Sequence, residues 1–339
     1  MHRFVRNVVL SSLFVALAAA GTAARADAQI KVTRQYGLPY LPLMIMEHEQ
    51  LFEKQLKAKG EPADTKVTWA TMSTTTATVD GLLSGSVDFA SSGITGLLAM
   101  WDKTQGTATE IKAISGISSF PYPLVTRDAA VKTIKDFSAN DRIAVPAVKI
   151  SVQAIVLQMA AVRAFGPDKR TALDALTVSM GHPTAAVAVM SGKSEVNSHF
   201  SYPPYSFEEL RTPGVHAVLW ANDVTNGPAT TIEVVTPAHV VNDHPQWVDA
   251  WLAAQREASD FIGRHPREAA EMYLAMTNEK KLSAEDLITI LSDPQVRIGV
   301  TPYNTMVFAQ YMHEVGSIAH MPASWKDYFW PVAHGLAGS

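Results

Sequence analysis

The order of strand-like and helix-like segments constrains this chain more than any other feature of its sequence. Apolar and β-branched residues favour strands at residues 30–36, 67–70 and 87–90. Each predicted strand is followed by apolar residues at helical spacing, within residues 43–59, at Val79, Leu82 and Leu83, and in residues 95–102. This alternation predicts an α/β fold with largely parallel strands.

The second half of the chain repeats the pattern and predicts a second lobe. Strands are expected at residues 142–145 and 176–179, with helices around residues 152–162 and 184–190. Ser84-Gly85 and Ser191-Gly192 each end a predicted helix just before a short strand. A strand at 231–235 and mostly helical sequence after Pro245 are expected to return to the first lobe. With crossings near Thr126 and residues 226–228, we predict one lobe from residues 27–125 and 229–339, and another from 126–228.

The N-terminus has the three parts of a cleavable export signal. Arg3 and Arg6 precede a mostly apolar run at residues 8–20, and Ala24-Arg25-Ala26 matches an A-x-A cleavage pattern. The run is shorter than the roughly 20 residues that a membrane span needs. We therefore predict that residues 1–26 are a signal peptide and that the mature protein is exported to a bacterial periplasm.

Composition excludes several classes of function. The 339 residues carry 28 basic and 32 acidic side chains, a formal charge of −4 that does not favour nucleic acid. The chain has no cysteine, which rules out disulfides, thiolate metal sites and cysteine nucleophiles. Its 11 histidines match no metal-site spacing, so neither a metal nor a cofactor is expected.

Three polar stretches follow predicted strands, where open α/β sheets bind ligands. They are residues 73–76 with Ser73, Thr74 and Thr75, residues 91–95 with Gly93 and Thr95, and residues 146–151 with Lys149 and Ser151. Helix N-termini at such positions favour anions because their first N–H groups lack partners. Each stretch alone is better explained by ordinary helix capping, which needs no ligand. Three of them on two lobes indicate a binding cleft.

Two histidines and several aromatic residues add candidates near predicted strand ends. His182 lies in Gly-His-Pro-Thr and His199 in Asn-Ser-His-Phe, where each side chain could face the cleft or remain an ordinary loop histidine. Aromatic side chains that could line a pocket are Tyr36, Tyr40, Phe200, Tyr202 and Tyr205. The chain lacks a complete P-loop and a G-x-S-x-G motif.

These segments, in this order, resemble a known family across the whole mature chain. The sequence is similar to the periplasmic solute-binding proteins of ABC importers in the nitrate, sulfonate and taurine group, which are related in fold to thiamine-precursor binders. The resemblance rests on residues 36–43, on 77–90 with Leu-Leu-Ser-Gly-Ser-Val-Asp, on Gly93-Ile-Thr-Gly96, on Val145-Pro146, on the Gly-His-Pro-Thr turn and on Ser201-Tyr-Pro-Pro204.

The resemblance implies a type II periplasmic-binding-protein fold, with two Rossmann-like lobes, a hinge and a ligand cleft between them. It places the following residues at the cleft: Gln35, Tyr36, Ser73, Thr74, Thr75, Ile94, Thr95, Lys149, Ser151, His182, His199 and Tyr202. An acid that is usual in the family beside the aromatic–proline turn is absent here, which argues against taurine. The implied partners of a monomeric binding protein are a small anionic ligand and an inner-membrane ABC permease with its ATPase.

The residues favour an organic sulfonate or carboxylate, including an aromatic one, and three alternatives stay open. The protein could bind a neutral pyrimidine or thiamine precursor, or it could sense a ligand instead of delivering it. An enzyme of the fungal pyrimidine-synthesis type shares the fold but uses a cysteine-rich motif. Because this chain has no cysteine and no evident nucleophile–base pair, we expect a binding protein and not an enzyme.

Overall fold

The computed structural model describes residues 29–339, which form two β-sheets surrounded by helices. The first lobe is built on a six-stranded sheet with the order β11-β4-β10-β3-β1-β2. Its strands are β1 (Gln29–Arg34), β2 (Lys66–Thr71), β3 (Phe89–Gly93), β4 (Ile111–Ser119), β10 (Ile232–Pro237) and β11 (Arg297–Ile298).

The second lobe is built on a five-stranded sheet with the order β7-β6-β8-β5-β9. Its strands are β5 (Pro123–Thr126), β6 (Ile143–Val145), β7 (Thr177–Ser179), β8 (Ser198–Phe200) and β9 (His216–Trp220). Four α-helices lie between β5 and β10 in the chain, namely α5 (Val152–Phe165), α6 (His182–Ser191), α7 (Tyr205–Leu210) and α8 (Ala221–Val224).

The remaining α-helices of residues 29–339 precede β5 or follow β10. They are α1 (Leu41–His48), α2 (Leu51–Ala58), α3 (Thr75–Leu83), α4 (Ile94–Thr104), α9 (Ala238–Asp243), α10 (Pro245–Arg264), α11 (Pro266–Thr277), α12 (Ala284–Leu291) and α13 (Met306–Glu314). None of the helices in this part of the chain is long and apolar enough to cross a membrane. The predicted signal peptide, residues 1–26, lies outside the described residues.

The expectation of largely parallel strands was wrong, because four of the nine strand pairings are parallel and five are antiparallel. The parallel pairings join β1 to β2 and β3, and β6 to β7 and β8. The strands β5 and β10 enter their sheets from the other lobe. They arrive at the edge where the parallel strands end, and each therefore runs antiparallel to them.

The chain passes between the sheets twice, from β4 to β5 and from β9 to β10. Strand pairing places β5 in the second sheet, so it moves the first crossing ahead of Pro123 rather than near Thr126. The second crossing, between Trp220 and Ile232, spans the predicted residues 226–228.

The first lobe is held together by aromatic packing between its sheet and α10. Phe89 on β3 stacks on Trp251 of α10 with ring centroids 4.7 Å apart, and Phe52 of α2 meets Trp251 edge-on at 5.0 Å. All three side chains are fully buried. The helix predicted over residues 43–59 is divided into α1 and α2 because Gln50 adopts a left-handed conformation, with φ of 51°.

Candidate functional site

Four helices begin at one small cavity between the two lobes. Thr75 is the first residue of α3 and Gly93 precedes α4, while Val152 and Gln153 open α5 and His182 opens α6. All of these residues line the cavity. Each helix follows a strand of the parallel part of its sheet, so the carboxyl edges of both sheets face each other across the cleft.

The four helix N-termini are capped in two different ways. The hydroxyls of Thr74 and Ser151 accept hydrogen bonds from the backbone N–H groups of Ala77 and Ala154, both at 3.3 Å. Helices α4 and α6 start instead at Gly93 and Gly181, which provide no capping side chain. First-turn N–H groups of an α-helix have no partner within the helix and carry partial positive charge.

The two glycine caps also allow the lobes to touch. A Cβ at Gly93 would lie 2.8 Å from Cγ2 of Val152, and one at Gly181 would lie 3.0 Å from the carbonyl oxygen of Ser73. The cavity between the lobes has a volume of about 10 Å³, close to the minimum that holds one water molecule. The structure is therefore a closed form of the cleft.

Several hydrogen bonds cross between the lobes in this closed form. The Tyr202 hydroxyl donates to Thr231 Oγ1 at 2.7 Å, and the Thr95 hydroxyl donates to the Ile150 carbonyl oxygen at 2.6 Å. The backbone N–H of Leu38 donates to the carbonyl oxygen of Pro203 at 3.0 Å. Each of these bonds joins a residue of the first lobe to a residue of the second lobe.

The rest of the cavity wall is polar but carries no fixed positive charge. Gln35 and Tyr40 contribute from the first lobe, together with Thr231, and Tyr202 contributes from the second. Burial raises the pKa values of Tyr40 and Tyr202, so both phenols stay protonated. Within residues 29–339, no lysine or arginine lines this cavity.

A chain of buried hydrogen bonds runs from the cavity into the second lobe. His182 Nε2 lies 3.3 Å from the Gln153 amide nitrogen, and His182 Nδ1 lies 2.8 Å from His199 Nε2. His199 Nδ1 lies 2.8 Å from Oε1 of Glu209 on α7. The pKa of His182 lies well below its usual range, mainly because the ring is buried and also because His199 lies beside it.

The structure brings together four of the predicted site residues as cavity lining, Gln35, Thr75, His182 and Tyr202. Others lie close behind the wall: His199 bonds to His182, Thr95 bonds across the lobes, and Thr74 and Ser151 cap helices. Of the remaining candidates, Ile94 is fully buried in the core, Ser73 is exposed, and Tyr36 is 41% exposed.

Lys149 is placed in a different groove from the cavity. It adopts a left-handed backbone conformation, with φ of 67°, and its exposed side chain lines an open groove of about 570 Å³ with Arg170 and Asp174. The expectation that Lys149 and His182 face the same space does not hold in this closed form.

Sequence reasoning missed four residues of the cavity wall, Val152, Gln153, Thr231 and Ile232. Gln153 belongs to a helix whose other marked positions are apolar, while Thr231 and Ile232 open a strand that reaches the cavity from the other lobe. No local motif marks these positions. Only the polar Gln153 next to a predicted helix N-terminus could have drawn attention. No cluster of three or more histidine or carboxylate side chains in the described chain could hold a metal ion.

No family model matches this sequence, and no curated protein matches it either. Solved structures do match its fold. The alkanesulfonate-binding protein SsuA from Xanthomonas axonopodis pv. citri, bound to MOPS, is similar with a TM-score of 0.68 at 14% identity, over 89% of this chain and 98% of that chain. The periplasmic nitrate-binding protein NrtA from Synechocystis PCC 6803 gives 0.65 at 16%, over 91% and 86%.

A third similar structure comes from a conserved Candida albicans gene product described as having the generic periplasmic binding protein fold. It has a TM-score of 0.66 at 14% identity, covering 89% of this chain and 96% of its own. The first two neighbours are named as binding proteins. The chain therefore has the periplasmic-binding-protein fold, as its sequence predicts.

Proposed function

We propose that this chain is the periplasmic solute-binding component of an ABC importer, and that it captures a small organic oxyanion between its lobes. A sulfonate or a carboxylate is the proposed ligand, and an inner-membrane permease with its ATPase is the proposed receiver. The sulfonate and nitrate named for the similar structures are consistent with this ligand class.

The observation that carries the proposal is the convergence of four helix N-termini on one cavity. One such terminus contributes roughly 0.3–1 kcal/mol to an exposed anion and up to about 2 kcal/mol in a partly buried site. A micromolar ligand requires about −8 kcal/mol. The four termini, together with the hydroxyl and amide donors of the cavity wall, can therefore bind an anion with micromolar affinity without a lysine or arginine.

A neutral ligand is the second candidate, because the cavity lining has no fixed cation. The amides of Gln35 and Gln153 and the rings of Tyr40, Tyr202 and His182 are donors, acceptors and flat surfaces that a pyrimidine could use. The absence of a lysine or arginine from the cavity lining is the observation that supports a neutral ligand.

Binding of either ligand requires the lobes to separate first. A cavity of about 10 Å³ cannot admit a sulfonate, so the ligand enters an open form and the lobes close on it. A permease or a sensory receptor that prefers one form could then detect occupancy.

Calorimetric titration with alkyl and aryl sulfonates, carboxylates, nitrate and a neutral pyrimidine tests the proposed ligand. We expect one of the anions to bind at micromolar or better affinity. Binding of the pyrimidine together with silence from every anion would reverse the order of the two candidates.

Two glycine variants test whether the cleft described above is where the ligand binds. In Gly93→Ala the new methyl group meets Val152 and keeps the lobes apart, so affinity should fall by at least about tenfold, or 1.4 kcal/mol. Gly263→Ala is the matched control, because Gly263 in α10 has no neighbour within 4 Å of an added Cβ. Equal affinities of the two variants would contradict the proposed site.

A further inference from the structure

The histidine chain behind the cavity has two protonation states, which differ by one positive charge. The hydrogen-bond partners fix the first state. When Glu209 is a carboxylate, His199 donates from Nδ1 and accepts at Nε2, so His182 must donate from Nδ1. His182 Nε2 is then an acceptor for the amide N–H of Gln153. In this state the Glu209 carboxylate carries the only charge of this chain of hydrogen bonds, and a negative charge disfavours an anion in the cavity.

One added proton offsets the negative charge of Glu209. A proton on His182 Nε2 turns that nitrogen from an acceptor into a donor toward Gln153. The proton already shared by the two rings can then move from His182 Nδ1 to His199 Nε2, across 2.8 Å. The positive charge then resides on His199, which is bonded to Glu209 at 2.8 Å. Gln153 can follow the change by turning its carbonyl oxygen toward the ring.

The side chains packed around the pair leave Glu209 as its counter-charge. His182 has the ring of Tyr202 at 5.3 Å and that of Tyr205 on α7 stacked at 6.3 Å. Burial raises the pKa values of both phenols, so they stay neutral. From the first lobe, the protonated Tyr40 and the amide of Gln35 line the same cavity.

Further along α7, Glu208 forms an ion pair with Lys281 at 3.4 Å. The other carboxylate of this helix is thus already partnered. The His182 and His199 side chains and Glu209 are nearly or fully buried, which keeps their interactions strong.

We propose that the site binds its oxyanion together with one proton, which enters at His182 Nε2 and leaves the positive charge on His199 beside Glu209. This inference rests on the proposed function, because it assumes an anionic ligand. The proton comes from solvent, and no covalent bond other than the N–H bonds changes. The anion and the imidazolium each stabilise the other in the closed cleft, so the two binding events are coupled.

Titrations with permanently ionised probes test the coupling, because the probe itself does not titrate. Butanesulfonate, benzenesulfonate and nitrate are used between about pH 6 and pH 8, in bis-Tris and in imidazole buffer, neither of which is an oxyanion. We expect affinity to fall by up to about tenfold for each unit rise in pH, with uptake of up to one proton measured from the buffer dependence of the heat.

Three variants locate the proton. His182→Gln keeps a polar side chain but cannot titrate, so its affinity should be independent of pH. Glu209→Gln removes the counter-charge, so proton uptake should shift to lower pH. His239→Gln is the matched control, since His239 on α9 is 50% exposed and lies outside the chain of hydrogen bonds; it should behave as the unchanged protein.

The outcomes separate the two proposals. Binding of a probe with the same affinity at every pH, and without buffer-dependent heat, overturns the coupling and leaves the anion-binding function intact. Full pH dependence in His182→Gln also overturns it. The absence of binding by all three probes at every pH overturns the proposed function and the coupling together. If a variant fails to fold, the proton uptake measured for the unchanged protein still tests the coupling.

Discussion

Each lobe contains a fully buried glutamate, and the two differ in what surrounds the carboxyl group. Glu209 of the second lobe bonds to His199 at 2.8 Å, and through it to His182 at the cavity. Glu233 lies on β10 in the first lobe, and neither of its oxygens has a hydrogen-bond partner among the described residues. Burial raises the pKa of the Glu233 carboxyl well above its usual value.

Two glutamates that are equally buried therefore have different roles. Glu209 has a partner that can carry the opposite charge, so it can help the cleft take up a proton. Glu233 has no such partner and is held as a neutral acid at a cost to stability. The lobe with the histidine pair is therefore the one that can respond to pH through ligand binding, while the other lobe responds through folding.

Removing Glu209 should have the largest effect. In Glu209→Ala, His199 loses its buried partner, and we expect the free energy of unfolding to fall by about 3 kcal/mol. Urea denaturation at neutral pH measures the change. The matched control is Glu268→Ala, which breaks the exposed pair with His265 and should cost less than about 0.5 kcal/mol. Similar losses of unfolding free energy in the two variants would show that the buried pair contributes no more to stability than the exposed pair.

Neutralising Glu233 should instead raise the free energy of unfolding, and the size of the increase should depend on pH. Because its pKa is raised in the folded protein, the folded state binds the proton more tightly than the unfolded state. The glutamate's contribution is therefore fully present below its ordinary pKa and is lost as the pH rises toward the folded-state pKa. Glu233→Gln should be more stable than the unchanged protein near pH 7, with the gap growing by up to about 1.4 kcal/mol per pH unit above pH 5.

Denaturation at about pH 5, 6 and 7 checks this slope. Glu268→Gln, at a carboxyl group 59% exposed, is the control and should show no such trend. A gap for Glu233→Gln that stays constant with pH would contradict the neutral buried acid and remove the contrast between the two lobes.

Removing the Tyr202–Thr231 hydrogen bond between the lobes should have the smallest effect. Tyr202→Phe removes the hydroxyl that donates to Thr231 across the cleft, which should weaken the closed form by about 1 kcal/mol and ligand affinity by about fivefold. Tyr303→Phe, at an exposed tyrosine, is the control. Calorimetry with the best anion of the panel measures both, and equal affinities would mean that the bond does not hold the closed form.

The sequence predicted the helix starts around the cavity well, because capping is a local signal. Thr74 before α3 and Ser151 before α5 are cap residues, while α6 begins at His182, two residues before the predicted helix at 184–190. The antiparallel strands β4, β5 and β9 were not predicted. Their pairing depends on the chain crossing between lobes, and β4 is buried almost throughout, so alternation does not reveal it.

The candidate site could be predicted only in part for the same reason. Gln35, Thr75 and His182 follow strands or open helices, so their position is a local property. Thr231 reaches the cavity because β10 returns from the second lobe, and Lys149 leaves it because of one left-handed backbone turn. Neither effect can be read from a local pattern of residue types.

A crystal structure with a bound sulfonate would show which groups hold the anion, because it fixes the position of the sulfur. We expect sulfonate oxygens within hydrogen-bond distance of first-turn N–H groups from at least one helix of each lobe, drawn from α3, α4, α5 and α6. A sulfonate found instead in the open groove between Lys149 and Arg170, with the cavity between the lobes unchanged, would contradict this expectation.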